Sequence, residues 1–359
     1  MDGGDVNSRE LLGQATRWIR RQPERLGFDL HTSILRAVQL RRNKQEGYQV
    51  VGCGSVEFTD FWNETNPDRE RIKFFLDQFS QGMKKCAFVA EHSTLRVRRM
   101  NIAPMPESDL VEAIRWNFRE HVDCPIEKYT VGYTPLTHYD EKGQLALMAY
   151  GISEEAIHQY VKLAKDLGYK LISLEPAATA LLAAFHLNRL LTEDRFTICL
   201  HMDEETTYFI VMTAHVVLFS RPLTGMSLQS FLEMLQHQGN VEPQAAKTLF
   251  QEWIAGKESD LHGAEIATTA THFLRQLVIE VQRSIDAFCI MYGVESVHDL
   301  FICGKGVQFP KLKEHMEHSL GMEVHVFDPF LHLPLPAEIE TMSVPERSTY
   351  AIAVGLSVI

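Results

Sequence analysis

The sequence contains the same succession of elements twice: a run of short strands followed by helices, once in each half of the chain. In the first half, LGFDL, SILRAVQLRR and YQVVGCGSVEF are rich in β-branched residues and separated by turns, which predicts a strand meander. RFTICLHM, TTYFIVMTA and HVVLFSRPL predict a second meander. No Pro-, Gly- or Ser-rich linker separates the halves. The pattern therefore predicts a duplicated α/β protein whose two lobes pack together.

Helices and further strands connect these meanders. The apolar residues recur at helical spacing in several segments, namely residues 67–83, 107–122, 154–167, 177–191, 228–254, 264–292 and 309–320. Further strands are predicted at CAFVA, TLRVRRMNIAP, YTVGYTPLTHY, QLALMAYGI, LISLEP, DLFICG and EVHVFD. The last segment, residues 349–359, reads as a helix that closes back on the first half.

Composition excludes several classes of protein. Hydrophobic residues make up 45% and charged residues 23%, which is typical of a globular protein. With 35 basic and 47 acidic residues the net charge is −12, so binding to a nucleic-acid backbone is not expected. The six cysteines form no C-x-x-C pair, which favours buried thiols over a zinc site or disulfides. No stretch is long and apolar enough to predict a membrane span.

Residues 9–25 predict an amphipathic helix that is rich in arginine, in an otherwise acidic chain. Such a helix can lie on an anionic lipid surface. It can equally dock on the body of the protein, and the sequence leaves both interpretations open.

Several segments resemble, in order, the signatures of the actin-like ATPase superfamily, and within it those of the type IV pilus assembly protein PilM family, which is related to FtsA. The segments begin at Gly27 (GFDLHTSILR), Arg99 (RMNIAPM), Arg119 (REHVDCPI), Asp166 (DLGYKLISLEP), Phe219 (FSRPLTG), Glu280 (EVQRSIDAF) and Ile302 (ICGKGVQFPKL). The similarity runs from about Leu26 to the C-terminus. Because the segments follow one another in the family's order, together they indicate the family far better than any one of them.

The resemblance implies an α/β fold with two actin-like lobes, each related to ribonuclease H, and an inserted subdomain of the FtsA/PilM type. We expect the N-terminal helix at residues 1–25 and the first-lobe core at 26–92, completed by 151–192 and 346–359. The inserted subdomain is expected at 93–150 and the second lobe at 193–345.

In this superfamily the nucleotide lies between two β-turns and a glycine turn, and the resemblance places that cleft on this sequence. The corresponding residues are Asp29, His31, Thr32, Ser33, Asp203, Thr206, Gly304, Lys305 and Gly306. His31 and Asp203 stand at glycine positions of the family, and His201 replaces an aspartate. Like charges about 4 Å apart cost roughly 4 kcal/mol at an effective dielectric near 20, so the carboxylates of residues 203–205 oppose a triphosphate.

We therefore expect a degenerate nucleotide cleft, no cofactor and no catalytic activity. The alternative is an ATPase of the FtsA type that binds ATP and Mg²⁺. His31, His201 and Asp203 also form a set that can bind zinc if the turns face each other. Polar residues that fill an emptied cleft are the interpretation we favour, so no metal is expected.

The resemblance implies a cytoplasmic scaffold that is peripheral to the bacterial inner membrane. Its expected partner is the N-terminal cytoplasmic tail of a PilN-like inner-membrane protein, and an assembly ATPase or platform protein is a further candidate. The tail is expected in a groove between the first lobe's core and the inserted subdomain. The residues expected to contact the tail are Arg96, Arg98, Arg99, Met100, Ile114, Phe118 and Glu175.

The strand over residues 94–103 alternates, which places Val97 and Arg99 on one face and Arg98, Met100 and Ile102 on the other. Arginines on such a strand can simply protect an exposed sheet edge from aggregation. They can also receive acidic or carbonyl groups of a docked tail, because the guanidinium offers a fixed fork of donors. Both interpretations remain open at this stage.

Overall fold

The computed structural model describes residues 24–43, 47–58, 68–139, 143–193, 195–239, 241–257, 263–297 and 299–359. The predicted N-terminal helix over residues 9–25 lies outside the described residues, except for its last two positions. Within the described ranges, no helix combines the length and the apolar character that crossing a membrane requires.

Strands and helices follow one another in the predicted order. The strands are β1 (Leu26–Leu30), β2 (Ile34–Arg42), β3 (Tyr48–Glu57), β4 (Lys85–Val89), β5 (Arg96–Ile102), β6 (Tyr129–Tyr139), β7 (Leu145–Ser153), β8 (Lys170–Glu175), β9 (Thr197–Met202), β10 (Thr207–Met212), β11 (Val217–Pro222), β12 (Asp299–Cys303) and β13 (Glu323–Val326). The helices are α1 (Asp68–Phe79), α2 (Glu107–Phe118), α3 (Glu154–Asp166), α4 (Ala177–Leu187), α5 (Leu228–Gly239), α6 (Pro243–Ile254), α7 (Gly263–Tyr292), α8 (Leu312–Leu320), α9 (Ala337–Glu340), α10 (Val344–Ser348) and α11 (Ala351–Leu356).

The two large sheets have the same topology, which confirms the predicted duplication. The first has the strand order β3-β2-β1-β4-β8 and the second the order β11-β10-β9-β12-β13. In each sheet the first strand of the antiparallel meander lies beside a parallel strand, β4 for β1 and β12 for β9. The hairpins that follow β1 and β9 are therefore equivalent positions of the two lobes.

The central strands are buried along their whole length. Every residue of β1 and of β9 is buried, as expected for strands with helices packed on both faces of the sheet. Polar residues within these strands therefore lie in the interior. Asp29 in β1 and His201 in β9 are each 0% exposed, and they face the cleft between the lobes.

A third sheet, with the order β5-β7-β6, lies between β4 and α3 in the chain. One face packs against the apolar side of α2, where Ile114 and Phe118 contact Leu147 and Ala149 of β7 in one buried cluster. The neighbouring residues of β7, such as Met148, point to the opposite face and join the main core. The alternation of β7 therefore fixes this sheet between α2 and the body of the protein.

The C-terminal helix α11 returns to the first lobe, as its apolar sequence predicts. It is buried throughout and packs against β1 and α4. The contact with β1 requires Gly27, because a Cβ atom at this position would lie 2.0 Å from the backbone oxygen of Ala353. The glycine that opens the first sequence motif thus permits close packing of helix on strand.

Candidate functional site

The two equivalent hairpins face each other across the cleft. The first closes with a hydrogen bond from the His31 amide to the Ile34 carbonyl, 2.9 Å long. The second closes with a hydrogen bond from the Asp203 amide to the Thr206 carbonyl, also 2.9 Å. The predicted juxtaposition of His31 with His201 and Asp203 is present, since His31 Nε2 and His201 Nε2 lie 3.7 and 3.6 Å from Asp203 Oδ2.

Arg36 of β2 connects the lobes through the interior of the cleft. Its two terminal nitrogens donate to the two carboxylate oxygens of Asp203, both at 3.1 Å, and one also donates to Glu204. The side chains of Arg36 and Asp203 are 2% and 0% exposed. Arg36 Nη1 also lies 3.6 Å from Asp29 Oδ2. A paired bidentate guanidinium is the arrangement that makes a buried carboxylate tolerable.

The outer rim of the cleft is closed by direct contact between the two turns. The backbone amide of Thr32 donates to Glu205 Oε1 at 3.1 Å, and the Thr32 hydroxyl donates to the same oxygen. Ser33 takes part through its backbone, because its carbonyl accepts from the Phe58 amide at 2.9 Å. The Thr206 hydroxyl is buried without a hydrogen-bond partner among the described residues.

Burial and neighbouring charges shift the protonation of the histidines in opposite directions. Burial disfavours the charged form of His31, but the adjacent carboxylates of Asp29 and Asp203 outweigh it and raise the pKa of His31 to about 10. Burial lowers the pKa of His201 to about 4, and the positive charges of His31 and Arg36 act in the same direction. At neutral pH the cleft therefore holds an imidazolium at residue 31 and a neutral imidazole at residue 201.

The glycine turn packs directly on the end of β9. Gly304 has a φ of 88°, and a Cβ atom there would lie 2.5 Å from the backbone oxygen of Met202. At Gly306 a Cβ atom would meet the Met202 side chain at 2.3 Å. The Gly304 amide donates to the Ser348 carbonyl at 3.2 Å, and Lys305 is half-buried at the surface of the turn.

Two residues of this cleft were missed by the sequence analysis. Arg36 lies in β2, and its partner Asp203 is 167 positions away. Glu91 follows β4, where Tyr208 donates to its carboxylate at 3.4 Å, and burial raises the pKa of Glu91 to about 7. The one available signal was the charge of Arg36 inside the first motif.

The predicted tail-binding arginines lie on an edge strand. Among the described residues, β7 is the one strand bonded to β5, which therefore forms an edge of its sheet. Arg98 is exposed and has no side-chain partner among the described residues. Arg99 points the other way, with its guanidinium 5.4 Å from the ring centre of Tyr292, while Met100 packs on the α2 side.

Three of the predicted contact residues need correction. Ile114 and Phe118 are both 0% exposed, because the apolar face of α2 is used up by its own sheet, so neither side chain lines a groove. Arg96 is exposed in part, but it already donates to the carbonyls of His121, Ser93 and Leu95. Glu175 ends β8 and accepts from the Ser173 hydroxyl; burial raises its pKa.

Comparison with known proteins decides the family. A family profile described as "Type IV pilus assembly protein PilM" matches residues 27–358. The chain belongs to the PilM family. A solved structure titled as a PilM-PilN type IV pilus biogenesis complex has a TM-score of 0.79 at 21% identity, covering 93% of this chain and 98% of that chain.

A second solved structure shares the actin-like fold of the PilM family at lower similarity. The ethanolamine utilization protein EutJ from Carboxydothermus hydrogenoformans has a TM-score of 0.53 at 13% identity, covering 98% of this chain and 99% of that chain. No curated protein sequence matches this chain. The predicted two-lobed actin-like fold with its inserted subdomain is confirmed by these likenesses.

Proposed function

We propose that this PilM family member is a scaffold of a type IV pilus or a related envelope assembly platform. In this role it binds the N-terminal cytoplasmic tail of a PilN-like inner-membrane protein and so works at the cytoplasmic face of that membrane. The observation that carries the proposal is the likeness, over nearly the full length of both chains, to the PilM of a PilM-PilN complex. Assembly ATPases, platform proteins and a lipid contact through residues 9–25 belong to the same proposal as further partners.

The edge strand β5 supports a specific mode of binding. Among the described residues β5 has a strand neighbour, β7, on one side alone, so an extended peptide can add on its other side as a further strand of the β5-β7-β6 sheet. Arg98 stands exposed on this strand and offers a guanidinium to a carboxylate or carbonyl of the peptide. Backbone hydrogen bonds would then supply affinity, and Arg98 would add a charged contact.

We infer further that the scaffold works without hydrolysing ATP. The residues of the cleft do not fit a magnesium–nucleotide complex. Arg36, Asp29 and Asp203 fill the space between the turns with buried side chains, and Asp203 stands where the family has a glycine. The FtsA-type ATPase is therefore not the function we propose.

The strand-addition mode is tested by reversing one charge. In Arg98→Glu we expect the tail peptide to bind about 1.5–3 kcal/mol more weakly, the range for a charge-assisted hydrogen bond, which is roughly a 10- to 150-fold rise in Kd. The melting temperature should hardly change, because Arg98 is exposed. Calorimetric titration with a synthetic peptide of the partner's N-terminus measures the effect.

Lys128→Glu is the matched control for this experiment. Lys128 is exposed and immediately precedes β6, at the opposite edge of the same sheet. Both variants replace a basic residue with glutamate, so the change in net charge is identical. We expect an affinity close to that of the unchanged protein. Equal weakening of peptide binding in both variants would indicate a long-range charge effect. An unchanged affinity in Arg98→Glu would indicate that Arg98 only protects the sheet edge from aggregation.

A further inference from the structure

Asp29, His31 and Asp203 converge in the buried cleft and satisfy only part of one another's hydrogen-bonding capacity. One ligand atom from each, a carboxylate oxygen or the imidazole Nε2, lies within 4.8 Å of the others. Asp29 Oδ1 and His31 Nε2 form an ion pair at 3.1 Å, but Asp29 Oδ2 has no hydrogen-bond partner among the described residues. Their side chains are 0% and 1% exposed. Buried polar atoms without a partner are costly, which indicates that a further group belongs among them.

The spacing of these atoms matches that of ligands around one metal ion. His31 Nε2 lies 3.1 Å from Asp29 Oδ1 and 3.7 Å from Asp203 Oδ2. Zinc binds nitrogen and oxygen at about 2.0–2.1 Å in tetrahedral geometry, which places neighbouring ligand atoms roughly 3.3 Å apart. His201 Nε2 is 3.6 Å from the same Asp203 oxygen, and neither of its ring nitrogens has a hydrogen-bond partner among the described residues.

We propose that the cleft binds one divalent transition-metal ion, zinc being the best match, through Asp29, His31 and Asp203, with His201 as the adjacent fourth donor. On binding, the ion would take the place of the Nε2 proton of the His31 imidazolium, which is released to solvent. An imidazole in the ligand set favours zinc and its neighbours over Mg²⁺. Arg36 would orient Asp203 from outside, because it donates to both oxygens of that carboxylate. The carboxylates near the proposed site also outnumber the permanent positive charge of Arg36, because Glu204 and Glu205 lie on the same turn as Asp203. This excess of negative charge favours a bound cation.

Such an ion would join the two lobes. Asp29 and His31 belong to the first hairpin and Asp203 to the second, so the metal would fix how the lobes close. The proposal does not rest on tail binding, which involves the β5 edge. Another group of potential ligands, Asp299, Glu323 and His325, lies partly exposed on the second sheet and provides an internal control.

The test uses the full chain, stripped with a chelator and then titrated with Zn²⁺ in competition with a chromophoric chelator. We expect one equivalent to bind tightly and the melting temperature to rise. His31→Gln and Asp29→Asn should each weaken binding by more than the roughly 10- to 100-fold that loss of an outer-shell partner costs. The surface variant His325→Gln should leave the tight equivalent unchanged.

X-ray absorption at the zinc edge of the loaded, unmodified protein decides the matter even if a variant fails to fold. Only nitrogen and oxygen ligands at about 2.0 Å are expected. Sulfur ligands would place the ion at Cys199 and Cys303, whose sulfurs are 3.4 Å apart, and would overturn the proposal. Absence of a tight equivalent, or its loss in His325→Gln, would overturn it as well.

Discussion

Arg36 is the central residue of the ion-pair network in this cleft. Its side chain is 2% exposed, and its guanidinium holds Asp203, Glu204 and Asp29 together across the lobes. The hairpin residues of the cleft were predictable because the resemblance to the family places both turns at one nucleotide cleft. The ion pairs of Arg36 were not predictable, because Asp203 and Glu204 are distant from it in sequence and the charge of Arg36 alone does not identify its partners.

Removing this guanidinium should be costly. In Arg36→Met the carboxylates of Asp203 and Glu204 stay buried without their partner, and we expect the free energy of unfolding to fall by about 3–5 kcal/mol. Urea denaturation in the presence of a chelator measures this loss without a contribution from bound metal. Arg41→Met on the same strand should cost less than about 1 kcal/mol, because Arg41 makes an exposed hydrogen bond. Equal stability of the two variants would contradict the described ion-pair network.

At the scale of elements, periodicity predicted the faces of strands and helices better than their ends. The alternation of β5 is confirmed, since Met100 and Ile102 pack on α2 while Val97 packs on the main core. The predicted helix over residues 177–191 stops at Leu187, where the Asn188 side-chain amide donates to the carbonyls of Ala184 and Pro329. The second of these contacts is made by a distant segment, which no local pattern reveals.

The same reasoning explains the error on α2. Its apolar stripe was assigned to a partner groove, although a helix beside a small sheet first buries that stripe in its own subdomain. Sequence periodicity shows which residues of a helix are apolar, but not which neighbour covers them. The edge position of β5 depends on strand order in the same way, so sequence reasoning identified the candidate arginines without separating Arg96 from Arg98.

The packing of α11 on β1 provides a prediction at this scale. Gly27→Ala places a methyl group 2.0 Å from the Ala353 carbonyl oxygen, so strand and helix must separate. We expect a loss of at least about 1–3 kcal/mol in the free energy of unfolding, the usual cost of overpacking. Gly132→Ala is the control, because nothing lies within 4 Å of the position that its new methyl group would occupy, and it should change stability by less than about 0.5 kcal/mol. Denaturation of both variants in parallel makes the comparison, and a loss confined to Gly132→Ala would refute the packing argument.

At the scale of the whole molecule, the two halves keep one topology but differ in what they carry. Both sheets repeat the same strand order, while the extra β5-β7-β6 sheet is found, within the described residues, in the first half alone. The duplication followed from the sequence because each half contains its own meander. The sequence did not predict which side chains fill the cleft, because these side chains meet only when the lobes close on each other.

Under the proposed function, the protein binds a PilN-like tail at the β5 edge and needs no nucleotide to do so. Calorimetric titration of the full chain with the tail peptide, with and without millimolar MgATP, tests it most directly. We predict binding with the same Kd in both conditions and no heat from MgATP alone, because side chains of both lobes already fill the cleft. Tail binding that appears only with MgATP, or no tail binding in either condition, would contradict the claim.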